Sequence, residues 1–398
     1  MVRTASPTVA RDAEPPRLRD GMRFCLAVFL AARVLLSLTA VAGVGALPES
    51  PLWRRYSFSP AEERATPGWH NALDGTFRWD ASSFALIAQH GYRESGSSAA
   101  FYPTYPFTMW VLGRATGMSM FTAGIVVSNL SFLCALVILY SLTTFERTLS
   151  VARRTVVLIA FSPTSFFFLA PFSESLFMLL TLLAFWFVRR NRWGTSGLSG
   201  ALAAATRGVG ITLALALAVE ALSRPWADRS QLHRRLAASA LVLLGPLAYA
   251  AGWLIAAGAP LQPWTSESGV GRGFVFPLLT LERGFRVALT QFTRPERITT
   301  IADALLTGIA LLLLAVGWRT LRGSYRTYVG LSLLIPLSFT LQAPPLPGLS
   351  RYVIVLFPLF WVAAEKIRRR AWFATTVAVS VVGYMTLAVM FMNWRFVA

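Results

Sequence analysis

The sequence predicts an all-α polytopic membrane protein, and three observations carry that prediction. Apolar runs long enough to cross a bilayer recur from end to end of the 398 residues. Hydrophobic residues make up 55% and charged residues only 14%, where a soluble domain carries about 25%. The 37 basic residues against 18 acidic ones fall in short clusters between the apolar runs. A net charge of +19 would fit a nucleic-acid partner. The absence of a continuous basic face argues against one and leaves membrane lipids as the expected surroundings. Cys25 and Cys134 lie inside apolar runs, so no disulfide framework is expected.

Taken in order, residues 1–20 read as a disordered cytoplasmic tail and 21–398 as one transmembrane domain of about 9–11 spanning or re-entrant helices. Candidate spans cover 22–46, 119–145, 152–170, 172–189, 235–258, 299–319, 326–342, 350–365 and 371–394. The first run lacks a small-residue cleavage site and reads as a retained span rather than a signal peptide. Segment 195–222 is too long for one crossing and too short for two, and Thr206-Arg207-Gly208 interrupts it. An arginine there does not belong in lipid. The segment therefore reads as two half-helices, 195–205 and 209–222, entering and leaving on one side.

Charge sets the sidedness. With the N-terminus cytoplasmic and 195–222 re-entrant, the cytoplasmic stretches carry 22 of the 37 basic residues, and the turns at 170–173 and 343–349 carry none. A single crossing at 195–222 would put Arg224, Arg229, Arg234 and Arg235 outside and break the bias. Two long extracytoplasmic loops follow, 47–118 and 259–298. The first holds two short amphipathic pieces, around 80–90 and 104–117.

Asp80, at the start of an apolar-patterned stretch, reads either as a helix N-cap or as a general base at the membrane surface. Glu174, in Ser173-Glu174-Ser175 among phenylalanines, reads as a favourable charge at a helix start or as a partner of Asp80 on the same face. Arg351 starts a span on that face, as a snorkelling residue or a two-pronged phosphate clamp. Arg207 has the same choice, or pairs with a buried carboxylate such as Glu174. Three scattered histidines make no metal site, and no glycine-rich phosphate loop is present. No cofactor is expected, and a transferase without a nucleotide pocket would need its activated sugar delivered on a lipid.

The same residues carry a family resemblance. Arg78-Trp79-Asp80-Ala81 through Ile87-Ala88-Gln89-His90-Gly91-Tyr92 resembles a signature of the PIG-V family of GPI mannosyltransferases. So do Phe101-Tyr102-Pro103-Thr104-Tyr105-Pro106, Ser162-Pro163-Thr164-Ser165-Phe166-Phe167-Phe168 and Ser173-Glu174-Ser175-Leu176-Phe177. Arg192-Trp193, Thr206-Arg207 and Arg351-Tyr352 follow in the family's order. Tyr102 and Thr104 depart from it, standing where the family has Phe and Leu. The resemblance implies a GT-C-type helical bundle with a large first extracytoplasmic loop, a polyprenyl-phosphate sugar donor, and inversion at the anomeric carbon. It also implies an essential Asp, matched by Asp80.

On that footing Asp80 and Glu174 are the expected catalytic residues, and Arg351 and Arg207 the donor-phosphate ligands. Trp79, Tyr92, Tyr105 and His90 are expected in the substrate cavity, and the scheme requires no metal. The expected partners are a polyprenyl-phosphate mannose, a lipid or glycan acceptor and membrane lipids. The expected location is the cell membrane, with the active site extracytoplasmic. The rival readings are a flippase of lipid-linked sugars, a non-catalytic partner of another membrane enzyme, and a GT-C transferase for another sugar.

Overall fold

Helix α1 (Leu18–Gly43) buries Cys25, Ala32, Leu36 and Ala40 on one face and exposes Leu26, Leu30, Val34 and Leu38 on the other. Small residues inside permit close backbone approach, and leucines outside suit lipid. The computed structural model describes residues 18–48, 68–92, 96–225, 228–269, 272–290, 297–341, 346 and 348–397. Of the expected tail, residues 1–17 lie outside the described residues, and helix α1 already starts at Leu18.

The first loop contributes α2 (Asn71–Asp74), α3 (Asp80–His90) and α4 (Thr104–Thr116), the last two being the expected amphipathic pieces. Helix α5 (Met120–Glu146) starts at Ser119, whose hydroxyl accepts from the Thr122 N–H. Helix α6 (Leu149–Ala160) starts at Thr148 in the same way. The expected span 152–170 is cut short there, because the residue before Pro163 is pushed out of helical geometry. A 3-10 turn, Ser165–Phe168, leads instead into α7 (Glu174–Arg189).

Helices α8 (Trp193–Ala204) and α9 (Thr212–Ser223) flank a break containing a 3-10 turn at Gly208–Ile211. The pair doubles back: Arg207 meets Glu174 at the start of α7, and Glu220 meets Arg189 at its end. Helices α10 (Arg229–Ala240) and α11 (Leu244–Ala257) follow, joined by a 3-10 turn at Leu241–Leu243. They touch α8 backbone to backbone. A Cβ on Gly197 would lie 2.1 Å from the Ala238 carbonyl oxygen, and one on Gly245 2.2 Å from that of Ala201.

The second loop forms α12 (Gln262–Gly269), β1 (Arg272–Phe274) and α13 (Pro277–Thr290), before α14 (Arg297–Gly317) and α15 (Gly323–Ser338). The expected span 326–342 ends early. Its last residues form β2 (Phe339–Leu341), antiparallel to β1 with Phe274 opposite Phe339, which pins the loop to α15. The expected span 350–365 is two short helices, α16 (Leu349–Ile354) and α17 (Phe357–Lys366), separated where Pro358 sets a new helix start. Helix α18 (Arg370–Met392) completes the chain. Among the described residues, five helical stretches are long and apolar enough to cross a membrane: α1, α5, α10 continued through its 3-10 turn into α11, α14 and α18.

The charged residues collect at two poles. Glu174 and Arg189 mark the two ends of α7, about 22 Å apart at 1.5 Å per residue. Asp80, Arg207 and Arg351 lie at the Glu174 pole; Glu146, Glu220, Arg224 and Arg322 lie at the Arg189 pole.

Candidate active site

The Asp80 loop is built from the residues before it. Buried Arg78 donates from Nε to the Met392 carbonyl at 3.1 Å and stacks 5.4 Å over Trp394. It thereby supplies a donor and a positive charge to the C-terminal end of α18, where carbonyls lack helical partners. Trp79 packs against Trp394 and Phe396, with ring centroids 5.5 and 5.4 Å away. Its φ of 58° lies in the left-handed region, which is strained for a bulky residue and held only by surrounding packing. The turn delivers Asp80 to the first position of α3.

Asp80 is not an N-cap. The cap position is Trp79, without a side-chain cap bond, and the Asp80 carboxylate faces Arg351 instead. Its Oδ2 accepts from Arg351 Nη1 at 2.7 Å, and the side chain remains 34% exposed. Arg351 Nε donates to Glu174 Oε1 at 2.6 Å, and Arg207 Nη1 donates to the same oxygen at 2.6 Å. The result is a chain of alternating charge, Asp80–Arg351–Glu174–Arg207. Both guanidiniums also lie against aromatic faces: Arg351 over Phe167 and Phe172 at 5.0 and 4.9 Å, and Arg207 over Tyr352 at 5.1 Å. The phenylalanine-rich stretch therefore walls Arg351.

Glu174, expected as a catalytic residue, pairs with both arginines. It is 0% exposed, both arginines share its Oε1, and among the described residues its Oε2 has no hydrogen-bond partner. A carboxylate so placed fixes two guanidiniums. Arg351 spends Nε and Nη1 on carboxylates, while Nη2 makes no hydrogen bond among the described residues.

The four expected cavity residues take different places. Trp79 supports the loop, as described. Tyr105 is fully buried, its hydroxyl donating to the Gly124 carbonyl at 3.0 Å and lying 2.8 Å from Ser128 Oγ. Tyr92 donates to the Phe101 carbonyl at 2.7 Å within a cluster with Tyr249 and Trp253, and burial pushes its phenol well above the usual range. His90 is exposed at the end of α3. Aromatic residues beside a motif satisfy burial as readily as ligand contact.

The Phe101–Pro106 element instead braces the break that carries Arg207. The Thr104 N–H donates to the Ala205 carbonyl at 3.1 Å, and the Tyr102 hydroxyl sits where a Gly208 side chain would project. One site residue escaped the sequence reading. Buried Asp303 of α14 accepts the N–H groups of Gly348 and Ser350, at 3.2 and 3.1 Å, and so caps α16, which bears Arg351. Its signal was present: a lone carboxylate inside an apolar run needs a reason.

Fold and site together define a multi-pass helical membrane protein with an acid–arginine cluster at one pole. A family profile described as Mannosyltransferase (PIG-V) matches residues 51–250. The chain belongs to the PIG-V mannosyltransferase family. It is 33% identical over 151 residues to GPI alpha-1,6-mannosyltransferase 2 of Mus musculus, covering 35% of this chain and 30% of that protein. It is 32% identical over 131 residues to GPI mannosyltransferase pigv-1 of Caenorhabditis elegans, covering 29% of this chain and 19% of that one. The matched region thus spans less than a third of either relative. Among solved structures, an Archaeoglobus fulgidus oligosaccharyltransferase aligns over 93% of this chain and 53% of its own, with 11% identity and a TM-score of 0.43.

Proposed function

We propose that the chain transfers mannose from a polyprenyl-phosphate donor to a lipid or glycan hydroxyl at the extracytoplasmic membrane face. The observation that carries the proposal is the Asp80–Arg351 pair, a partly exposed carboxylate 2.7 Å from a guanidinium that a buried acid anchors. Family membership supports the sugar. The extracytoplasmic placement rests on the arginine clusters, which gather at the pole away from Asp80.

In the proposed reaction the acceptor oxygen attacks C1 of the sugar and its proton passes to Asp80. The bond between C1 and the phosphate oxygen breaks, and the lipid phosphate leaves with both electrons. Inversion follows from one displacement. The developing negative charge falls to Arg351, with Arg207 beside it. Glu174 and Asp303 are positioning residues: the first holds both guanidiniums, the second holds the helix under Arg351. Transfer of radiolabelled mannose from polyprenyl-phosphate mannose to extracted lipids by the purified protein tests the reading. Binding of the donor with no transfer to any acceptor would favour a flippase and reject it.

A further inference from the structure

The pole opposite Asp80 holds a cavity of about 570 Å³ that the transfer chemistry does not use. Asn191, Trp193, Gln231, Arg234 and Arg235 line it, with Ala238 and Leu241 adding apolar surface. Arg235 is only 6% exposed, yet it is incompletely paired. Its Nη1 donates to the Pro225 carbonyl at 3.0 Å, while its buried Nε–H finds no acceptor among the described residues. Native proteins rarely leave a buried charged donor unmet, because its lost hydration is then uncompensated.

The wall around it is firmly built. The Arg235 guanidinium lies 5.4 Å over the Trp193 ring, and that of Arg224 5.7 Å over the same ring. Trp193 Nε1 donates to Asn191 Oδ1 at 2.9 Å, from an Asn191 held at a left-handed φ of 60°. Arg234 spends one N–H on Ser230 Oγ at 3.1 Å. The acid at the cavity, Asp228, is committed to capping α10, accepting from the Gln231 N–H at 2.8 Å and the Ser230 hydroxyl at 2.7 Å.

We infer that this cavity binds a phosphate group, which Arg235 and Arg234 hold from two sides. A phosphate has the charge and the acceptor geometry that an arginine fork fits. The apolar surface and the tryptophan favour the headgroup of an anionic phospholipid, since basic pockets between membrane helices at an interface take such groups. Free inorganic phosphate shares the chemistry and is the other source.

Native mass spectrometry of the purified full chain tests this, using phosphatidylglycerol, phosphatidylcholine and inorganic phosphate as separate probes. Phosphatidylglycerol should bind at one saturable site in preference to phosphatidylcholine, and Arg235→Gln or Arg234→Gln should weaken it about tenfold or more. Binding of inorganic phosphate alone, with the same dependence on the arginines, assigns the site to a soluble ligand. Arg234 is exposed, so Arg234→Gln serves should Arg235→Gln fail to fold. Equal binding of both phospholipids, wild-type affinity in Arg234→Gln, or binding of none of the probes would overturn the inference.

Discussion

At Arg351 one guanidinium serves two carboxylates through two different nitrogens, which a lysine ammonium reproduces in charge but not in shape. Arg351→Lys should therefore fold while needing a higher donor concentration for saturation. Donor saturation like wild type would reject the phosphate clamp. Glu174 makes the opposite prediction. Glu174→Gln leaves two buried arginines without their shared counter-charge, and breaking buried pairs costs about 3–5 kcal/mol. The variant should lose thermal stability and activity together. An unchanged melting temperature with lost turnover would return Glu174 to the chemistry and contradict the positioning role.

At the scale of elements, the site depends on how two short pieces are held: the break between α8 and α9, and helix α16. Six residues of α16 are too few for a helix to stand alone. Asp303 stabilises its start from a neighbouring span with two oxygens on two N–H groups. Asp303→Asn keeps one acceptor and turns an amide toward the other N–H. Arg351 should then be less well placed, raising the donor KM with a smaller change in stability than Glu174→Gln causes. A variant with wild-type donor KM would show that α16 holds its place without Asp303. The sequence announced the break, because an arginine flanked by glycine and threonine in an apolar run has few other meanings. It did not announce β2 or the division of α16 from α17. A three-residue strand and a proline-delimited helix start both read as hydrophobic run, and the strand's partner lies far away in the chain, Phe274 opposite Phe339.

At the scale of the molecule, the arginine clusters that the charge count groups together are neighbours at one pole, where Glu146, Arg189, Glu220, Arg224 and Arg322 join four helices. That the four charged residues of the cluster belong together was legible because ionisable groups in apolar surroundings are conspicuous. The packing of Trp79, Tyr92 and Tyr105 was not, because aromatic residues suit a core and a sugar site equally. A reporter fused within 225–232 should read cytoplasmic, and one within 60–72 extracytoplasmic. An external reading at 225–232 would undo the proposed sidedness. The proposed transfer rests on one proton. Asp80→Asn keeps the shape of a one-third-exposed side chain and its contact with Arg351, but removes the base. Single-turnover transfer by the purified variant, measured beside its donor affinity, should fall by about two to four orders of magnitude with donor binding nearly unchanged. An Asp80→Asn protein that transfers sugar at the wild-type rate would exclude Asp80 as the base.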